Sequence, residues 1–171
     1  MSKKVMVNVG SLLFAAEPGC YKWWAKRQEL DKLLQALGLN YDRVKNDIEK
    51  YGDLFCIYVG KSKKIRKRLV CNHIDGSIRC STLRKTIAGL MNIKSEQEIN
   101  QNFIDKFSIE PMYINPQKEK EIINEPNPNK PGETYLRILN SDGNEHNLAI
   151  KTIEKIKKAR ERAEKNIPFT K

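Results

Sequence analysis

Leu54-Phe55-Cys56-Ile57-Tyr58-Val59-Gly60-Lys61-Ser62-Lys63-Lys64-Ile65-Arg66-Lys67-Arg68-Leu69 carries more information about this chain than any other stretch. The run from Leu54 to Val59 is apolar and β-prone, and Gly60 interrupts it, which predicts a buried strand followed by a turn into a helix. Ser62 has the side chain to cap that helix. Over residues 63–73, Ile65 and Leu69 mark one apolar face, and Lys63, Lys64, Arg66, Lys67 and Arg68 surround it. A phenol, Tyr58, is therefore delivered to the head of a strongly basic helix.

Upstream, residues 4–9 and 12–16 are short apolar runs, read as strand or buried extended chain ending at Pro18-Gly19, which leaves Tyr21 in or beside a strand. From Trp24 to Leu37 the spacing turns helical, with Leu30, Leu33, Leu34 and Leu37 on one side and Gly38 as C-cap. A second helix is expected over Tyr41 to Tyr51, and Trp23 and Trp24 read as packing anchors. Downstream, Ser81 is the expected N-cap of a helix reaching Leu90 or Met91. A polar helix over Glu96 to Phe107 precedes a strand over Ser108 to Ile114, and Asn115-Pro116 opens a short helix that must end near Pro126. Residues 127–132 can only be loop, and a last helix over Leu148 to Asn166 sets Ile150, Ile153, Ile156 and Ala159 against a basic remainder. There is no internal repeat.

With 171 residues the chain has the size of one domain. Lys and Arg total 32 against 21 Asp and Glu, a formal charge of +11, which favours a polyanionic partner, with solubility as the plainer explanation. Cys20, Cys56, Cys71 and Cys80 are too few and too irregular for a disulfide scaffold and fit a reducing cytoplasm. Cys71, His73 and Cys80 fall one ligand short of a structural zinc site. Lys3-Lys4 followed by Val5 to Ala16 resembles a secretory leader, but Asn8 and Gly10 interrupt it. No apolar run approaches the ~20 residues needed to span a bilayer, so the expectation is a cytoplasmic protein with no membrane partner.

Gly19-Cys20-Tyr21 and Tyr58-Val59-Gly60 allow two phenols to project from neighbouring strands into one site. The segment from Tyr58 to Leu69 closely resembles the YIG-to-arginine segment of GIY-YIG nucleases, in which an arginine lies eight residues after the glycine, as Arg68 does after Gly60. The resemblance extends through residues 18–24, His73-Ile74-Asp75-Gly76 and Ser81-Thr82-Leu83-Arg84-Lys85, and is closest to stand-alone, single-domain bacterial members. It implies an α+β, two-layer fold: a small, mostly antiparallel, three-stranded sheet flanked by helices. Residues 1–171 would form one such domain, with a helical insertion at 24–51 between the first two strands and a basic C-terminal helix at 145–167. It also implies a metal-dependent DNA endonuclease that hydrolyses phosphodiesters by water attack. The alternative is a catalytically silent, basic nucleic-acid-binding module on the same fold.

The resemblance further implies a metal-holding glutamate on a helix after the third strand, in a pattern matched by Glu119-Lys120-Glu121-Ile122-Ile123. A helical wheel at about 100° per residue supports Glu119, which falls between the directions of Ile122 and Ile123, over Glu121, which points to solvent. Such a carboxylate needs a cation, either Mg²⁺ (with Mn²⁺ as substitute) or a Lys or Arg partner. Arg68 would pair with the non-bridging phosphate oxygens. Tyr21, Tyr58 and His73 are the candidates for general base: a phenol is a weak base at neutral pH, and His73 has the more suitable pKa. Asn129, with Asn127 in reserve, matches an asparagine the family places after the glutamate helix. Lys61, Lys64, Arg66, Lys67, Arg84 and Lys85 are the expected nucleic-acid contacts. A homodimer, with the insertion as interface, is one way for a single-site enzyme to cut both strands.

Overall fold

The computed structural model describes residues 7–8 and 14–167, the side chains of 7–8 and 103–105 aside. Its sheet has the order β1-β5-β2-β4-β3, with β1 at Val7–Asn8, β2 at Gly19–Lys26, β3 at Lys50–Tyr51, β4 at Leu54–Ser62 and β5 at Phe107–Met112. Every pairing is antiparallel. The expectation of three strands is thus corrected to five. The three long strands form the body, and two-residue strands extend each edge, too short to leave a periodic signal. Of the two early apolar runs, Val7–Asn8 pairs with β5, whereas residues 4–6, 9 and 12–13 lie outside the described residues.

The helices are α1 Arg27–Leu37, α2 Tyr41–Val44, a π-helix at Lys67–Ile74, α3 Thr82–Leu90, α4 Glu96–Lys106, α5 Glu119–Ile123 and α6 Asn147–Asn166. Two of the caps predicted from side-chain chemistry are present: Gly38 closes α1 with φ 70°, and the Ser81 hydroxyl accepts from the Arg84 backbone N–H. The Ser62 cap is not, because Ser62 ends β4, its hydroxyl accepts from Lys64 N–H at 3.0 Å in the turn, and the π-helix starts later, at Lys67. The insertion is shorter than expected, because Trp24 belongs to β2 and the helices occupy only residues 27–44. The second helix stops at Val44. Beyond it the backbone carbonyl of Asp47 accepts from Leu136 at 2.7 Å and that of Glu49 from Cys56 at 2.9 Å, which draws the chain to the sheet edge instead of onward in a helix.

Alternation along β2 sends its residues to two different cores. Tyr21, Trp23 and Ala25 join Phe55 and Ile57, the leucines of α1 and Ile87 of α3 in the larger cluster. Cys20 and Trp24 join Cys56, Val59 and the α5 residues Ile122 and Ile123 in a smaller one. The pairing slips once: Trp23 faces Tyr58 and Trp24 faces Cys56, leaving Ile57 as an extra residue in β4. This β-bulge changes the parity of β4, so Tyr58 and Gly60 come to the face that carries Tyr21. The Ile57 carbonyl is satisfied from outside the sheet by Leu139 N–H at 3.0 Å.

Candidate active site

Tyr21 is 1 % exposed, and its hydroxyl lies 2.8 Å from His73 Nε2. A Cβ at the facing residue, Gly60, would lie 2.6 Å from the Tyr21 ring, so only glycine leaves room for it there. His73 is fully buried on the π-helix, and its Nδ1 is 2.5 Å from Ser81 Oγ. The Arg68 guanidinium completes the cluster, donating from Nε to the Tyr21 hydroxyl at 3.4 Å and from Nη1 to the Cys80 carbonyl at 3.3 Å. Ser81, His73, Tyr21 and Arg68 therefore form one continuous chain of polar groups ending at the half-buried arginine.

Burial, and then the neighbouring guanidinium charges of Arg68 and Arg84, hold His73 well below the usual histidine range, so its ring is neutral. Burial, followed by the proximity of Tyr58, raises the Tyr21 phenol above its ordinary value, and Arg68 opposes that rise. Burial likewise raises Tyr58, with Arg68 opposing and Glu119 adding to the rise. All three groups are thus uncharged near neutrality. Both nitrogens of His73 are engaged by oxygens, which removes it as a zinc ligand beside Cys71 and Cys80.

Glu119 opens α5 with its side chain 21 % exposed, whereas Glu121 is exposed and Ile122 and Ile123 are buried, as the wheel requires. Its carboxylate is 2.8 Å from Lys61 Nζ. Burial, and then the Glu119 carboxylate, push the neighbouring Cys20 thiol up to about 11. Glu119 and Tyr58 line one cleft of about 190 Å³ together with Thr82, Ile123, Leu139, Asn140, Ser141, Asp142 and Arg160. A second cleft of about 250 Å³ is lined by Ser62, Lys63, Lys64, Lys67, Arg68 and Asn72.

Three expected site residues are elsewhere. Asn129 is exposed in the loop, where its N–H is accepted by Asn127 Oδ1 at 2.9 Å, and Asn127 itself is buried and donates to the Asn46 carbonyl at 2.7 Å. The asparagine that meets the site is Asn140. Its Oδ1 accepts from Val59 N–H and its Nδ2 donates to the Val59 carbonyl, both at 2.8 Å, in the manner of a paired strand, beside Tyr58. Asn140 was not singled out in the sequence, because a loop position with no periodicity hides its contact. Arg84 is fully buried rather than on a nucleic-acid surface. It donates to the carbonyls of His73 and Ile74 at 2.9 and 2.8 Å, which would otherwise be orphaned at the end of the π-helix, and to Glu96 and Asn100. Lys85 is ion-paired with Glu164 of α6. Lys61, Lys64, Arg66 and Lys67 are exposed. The sequence reading also did not single out Ser81 as a partner of His73, having assigned it only to the helix cap.

Asp47, Glu133 and His146 form a separate cluster with ligand-type atoms close together. Lys130 already places its ammonium on Asp47 and Glu133. His146 Nδ1 accepts from Leu148 N–H at 3.2 Å, so the neutral ring carries its proton on Nε2, 3.7 Å from Asp47. That proton occupies the position a metal would need, and the Lys130 ammonium already serves the two carboxylates as their cation.

Among the described residues no helix is long and apolar enough to cross a membrane. No curated protein and no solved structure matches the chain. The family model described as the GIY-YIG catalytic domain matches residues 19–162, from the start of β2 into α6, and so spans both tyrosine triplets, Arg68, His73, Glu119, Asn140 and Arg160. The chain belongs to the GIY-YIG catalytic domain family, whose members are nucleases.

Proposed function

We propose that this protein is a metal-dependent endonuclease that hydrolyses DNA phosphodiesters by water attack at the Tyr21–Tyr58 face of the sheet. The observation that carries the reading is the convergence of Tyr21, His73, Arg68, Tyr58 and Glu119, from β2, the π-helix, β4 and α5: the buried Tyr21–His73 pair bonds Arg68, which opens to one cleft, and Tyr58 and Glu119 line another. A merely structural cluster has no need of a half-buried guanidinium beside a neutral phenol and an imidazole.

The residues fit a divalent cation. Glu119 is a hard oxygen donor on the cleft wall and already attracts a cation, the half-exposed Lys61 ammonium, whose flexible stem allows it to leave. Glu119 would hold Mg²⁺, which would supply charge stabilisation for the leaving oxygen. Arg68 binds the non-bridging oxygens. Lys61, Lys64, Arg66 and Lys67 attract the polyanionic backbone.

Tyr21 accepts the proton of the attacking water and passes its own phenolic proton to His73 Nε2, with Ser81 positioned at the far nitrogen. His73 has no surface of its own and acts through Tyr21. Burial is the main cause that keeps His73 neutral, with Arg68 and Arg84 adding to it; a phosphodiester seated on Arg68 neutralises one of those two charges, so the base strengthens when substrate is bound.

Incubation with plasmid, branched and single-stranded DNA, with Mg²⁺ or with chelator, tests the reading directly. Glu119→Gln is expected to lower Mg²⁺-dependent nicking by about 10²–10³-fold, the cost of losing one electrostatic stabiliser, while leaving salt-sensitive DNA binding in place. Binding without nicking of any substrate would favour the silent module, and equal nicking by the variant would remove Glu119 from the reaction.

A further inference from the structure

The C-terminal helix brings a cation into the Tyr58–Glu119 cleft that the reaction above does not use. Arg160 lines that cleft with Thr82, Ser141 and Asp142. Its Nε donates to Thr86 Oγ1 at 2.8 Å and its Nη2 to Ser141 Oγ at 3.1 Å. Both partners are neutral hydroxyls. The two fully buried arginines differ: Arg84 is paired with Glu96, and Arg137 with Glu49 and Glu125. Arg160 makes no ion pair with a described residue, and Asp142, which lines the same cleft, acts on its charge from beyond ion-pair distance. A half-buried guanidinium in hydroxyl company keeps its full charge for an incoming anion.

Its backbone is packed closely: at Gly89 of α3 an added Cβ would run into the backbone of Ala159, so α6 lies directly against α3, and Arg160 is the next residue. Arg68 shares a different cleft with Lys63, Lys64 and Lys67, and both guanidiniums are close enough to Tyr58 to act on its phenol. The Arg160 cleft, at about 190 Å³, is below the ~300–1,000 Å³ of small-molecule pockets and suits one phosphate with its sugar, not a whole ligand.

We infer that Arg160 binds a second phosphate of the cleaved strand, the one adjacent to the scissile group, while Arg68 binds the scissile group itself. The inference rests on the endonuclease reading and narrows it: the substrate must continue past the cut on the Arg160 side, which favours internal over terminal bonds.

The test uses the whole protein. In chelator, where no cleavage occurs, affinity for a DNA duplex is measured across salt concentrations for wild type, Arg160→Gln and Arg160→Lys. The Gln variant is expected to lose about one unit of the log–log salt slope and the Lys variant to keep it, at similar Tm. With Mg²⁺, the Gln variant should raise KM about tenfold and leave kcat within about twofold, the pattern of lost uniform binding. A wild-type slope in the Gln variant would overturn the inference, as would equal losses in both variants with lowered Tm, the pattern of a mere structural bracket. Should the Gln variant not fold, DNA bearing one uncharged methylphosphonate at successive positions, tested on the unaltered protein, replaces it. Sensitivity is expected at the phosphate next to the scissile one on the Arg160 side as well as at the scissile phosphate, and an insensitive neighbour on that side would overturn the inference. Wild-type binding without cutting would overturn the nuclease reading yet leave the slope comparison valid, so the two failures are distinct.

Discussion

On one face of β2, Tyr21 meets His73, Ser81 and Arg68; on the other, Lys22 meets Glu49 at 2.8 Å and Glu125 at 2.7 Å, and both carboxylates are shared with Arg137. Adjacent residues of a single strand thus enter two buried polar systems of opposite character. Around Lys22, two cations meet two carboxylates, and the charge is balanced where it stands. Around Tyr21, the buried groups are neutral and the arginine at the end has no carboxylate within this cluster, so positive potential is left facing a cleft. Burial of titratable groups does not by itself mark a site; uncompensated charge at an opening does.

Substitutions can break this contrast from either side. The largest expected effect is on the balanced face. Arg137→Met takes one cation from both Glu49 and Glu125 and should cost about 3–5 kcal/mol in denaturant unfolding, while the protein that remains folded keeps its kcat. Loss of kcat at intact stability would mean that the ion network belongs to the site. On the Tyr21 face the expectation reverses. Tyr21→Phe removes one hydroxyl, leaves His73 Nε2 without that partner, and should lower the nicking rate by about 10²–10⁴-fold, with a stability change of only about 1–3 kcal/mol. A rate within a few-fold of wild type would exclude the phenol from proton transfer.

A smaller effect concerns pH. His73 is held below its unfolded value, so between the two values the unfolded chain binds a proton that the folded chain does not. Stability is therefore full above about pH 6.5 and falls as pH drops from there toward the folded value. His146 is lowered too, chiefly by burial, and adds a change in the same direction. His73→Asn should flatten part of the fall in urea midpoint between neutral and mildly acidic pH. A midpoint that falls as steeply as in wild type would assign the whole effect to other groups.

What the sequence reveals follows from the range of the interaction. Helix faces and caps are local, so α1, α3 and α6 were legible, and the Glu119–Glu121 distinction followed from a few residues of geometry. The bulge at Ile57 was not, because it exists only in the pairing of β4 with β2. Arg84, beside Lys85, reads as a solvated charge until the carbonyls at the end of the π-helix are known to need a donor. The Lys61 partner of Glu119 and the Val59 clamp of Asn140 join residues 58 and 81 positions apart, beyond any pattern in one sequence.

Gly60 sharpens the relation between the two tyrosine triplets. Its missing side chain is the space that the Tyr21 ring fills, so the glycine of one triplet serves as the seat for the tyrosine of the other. Neither triplet is a complete motif. A chimera that imported residues 19–21 without residues 58–60 would import a phenol with no place to lie, and the smallest portable piece of this site is a bulged pair of strands.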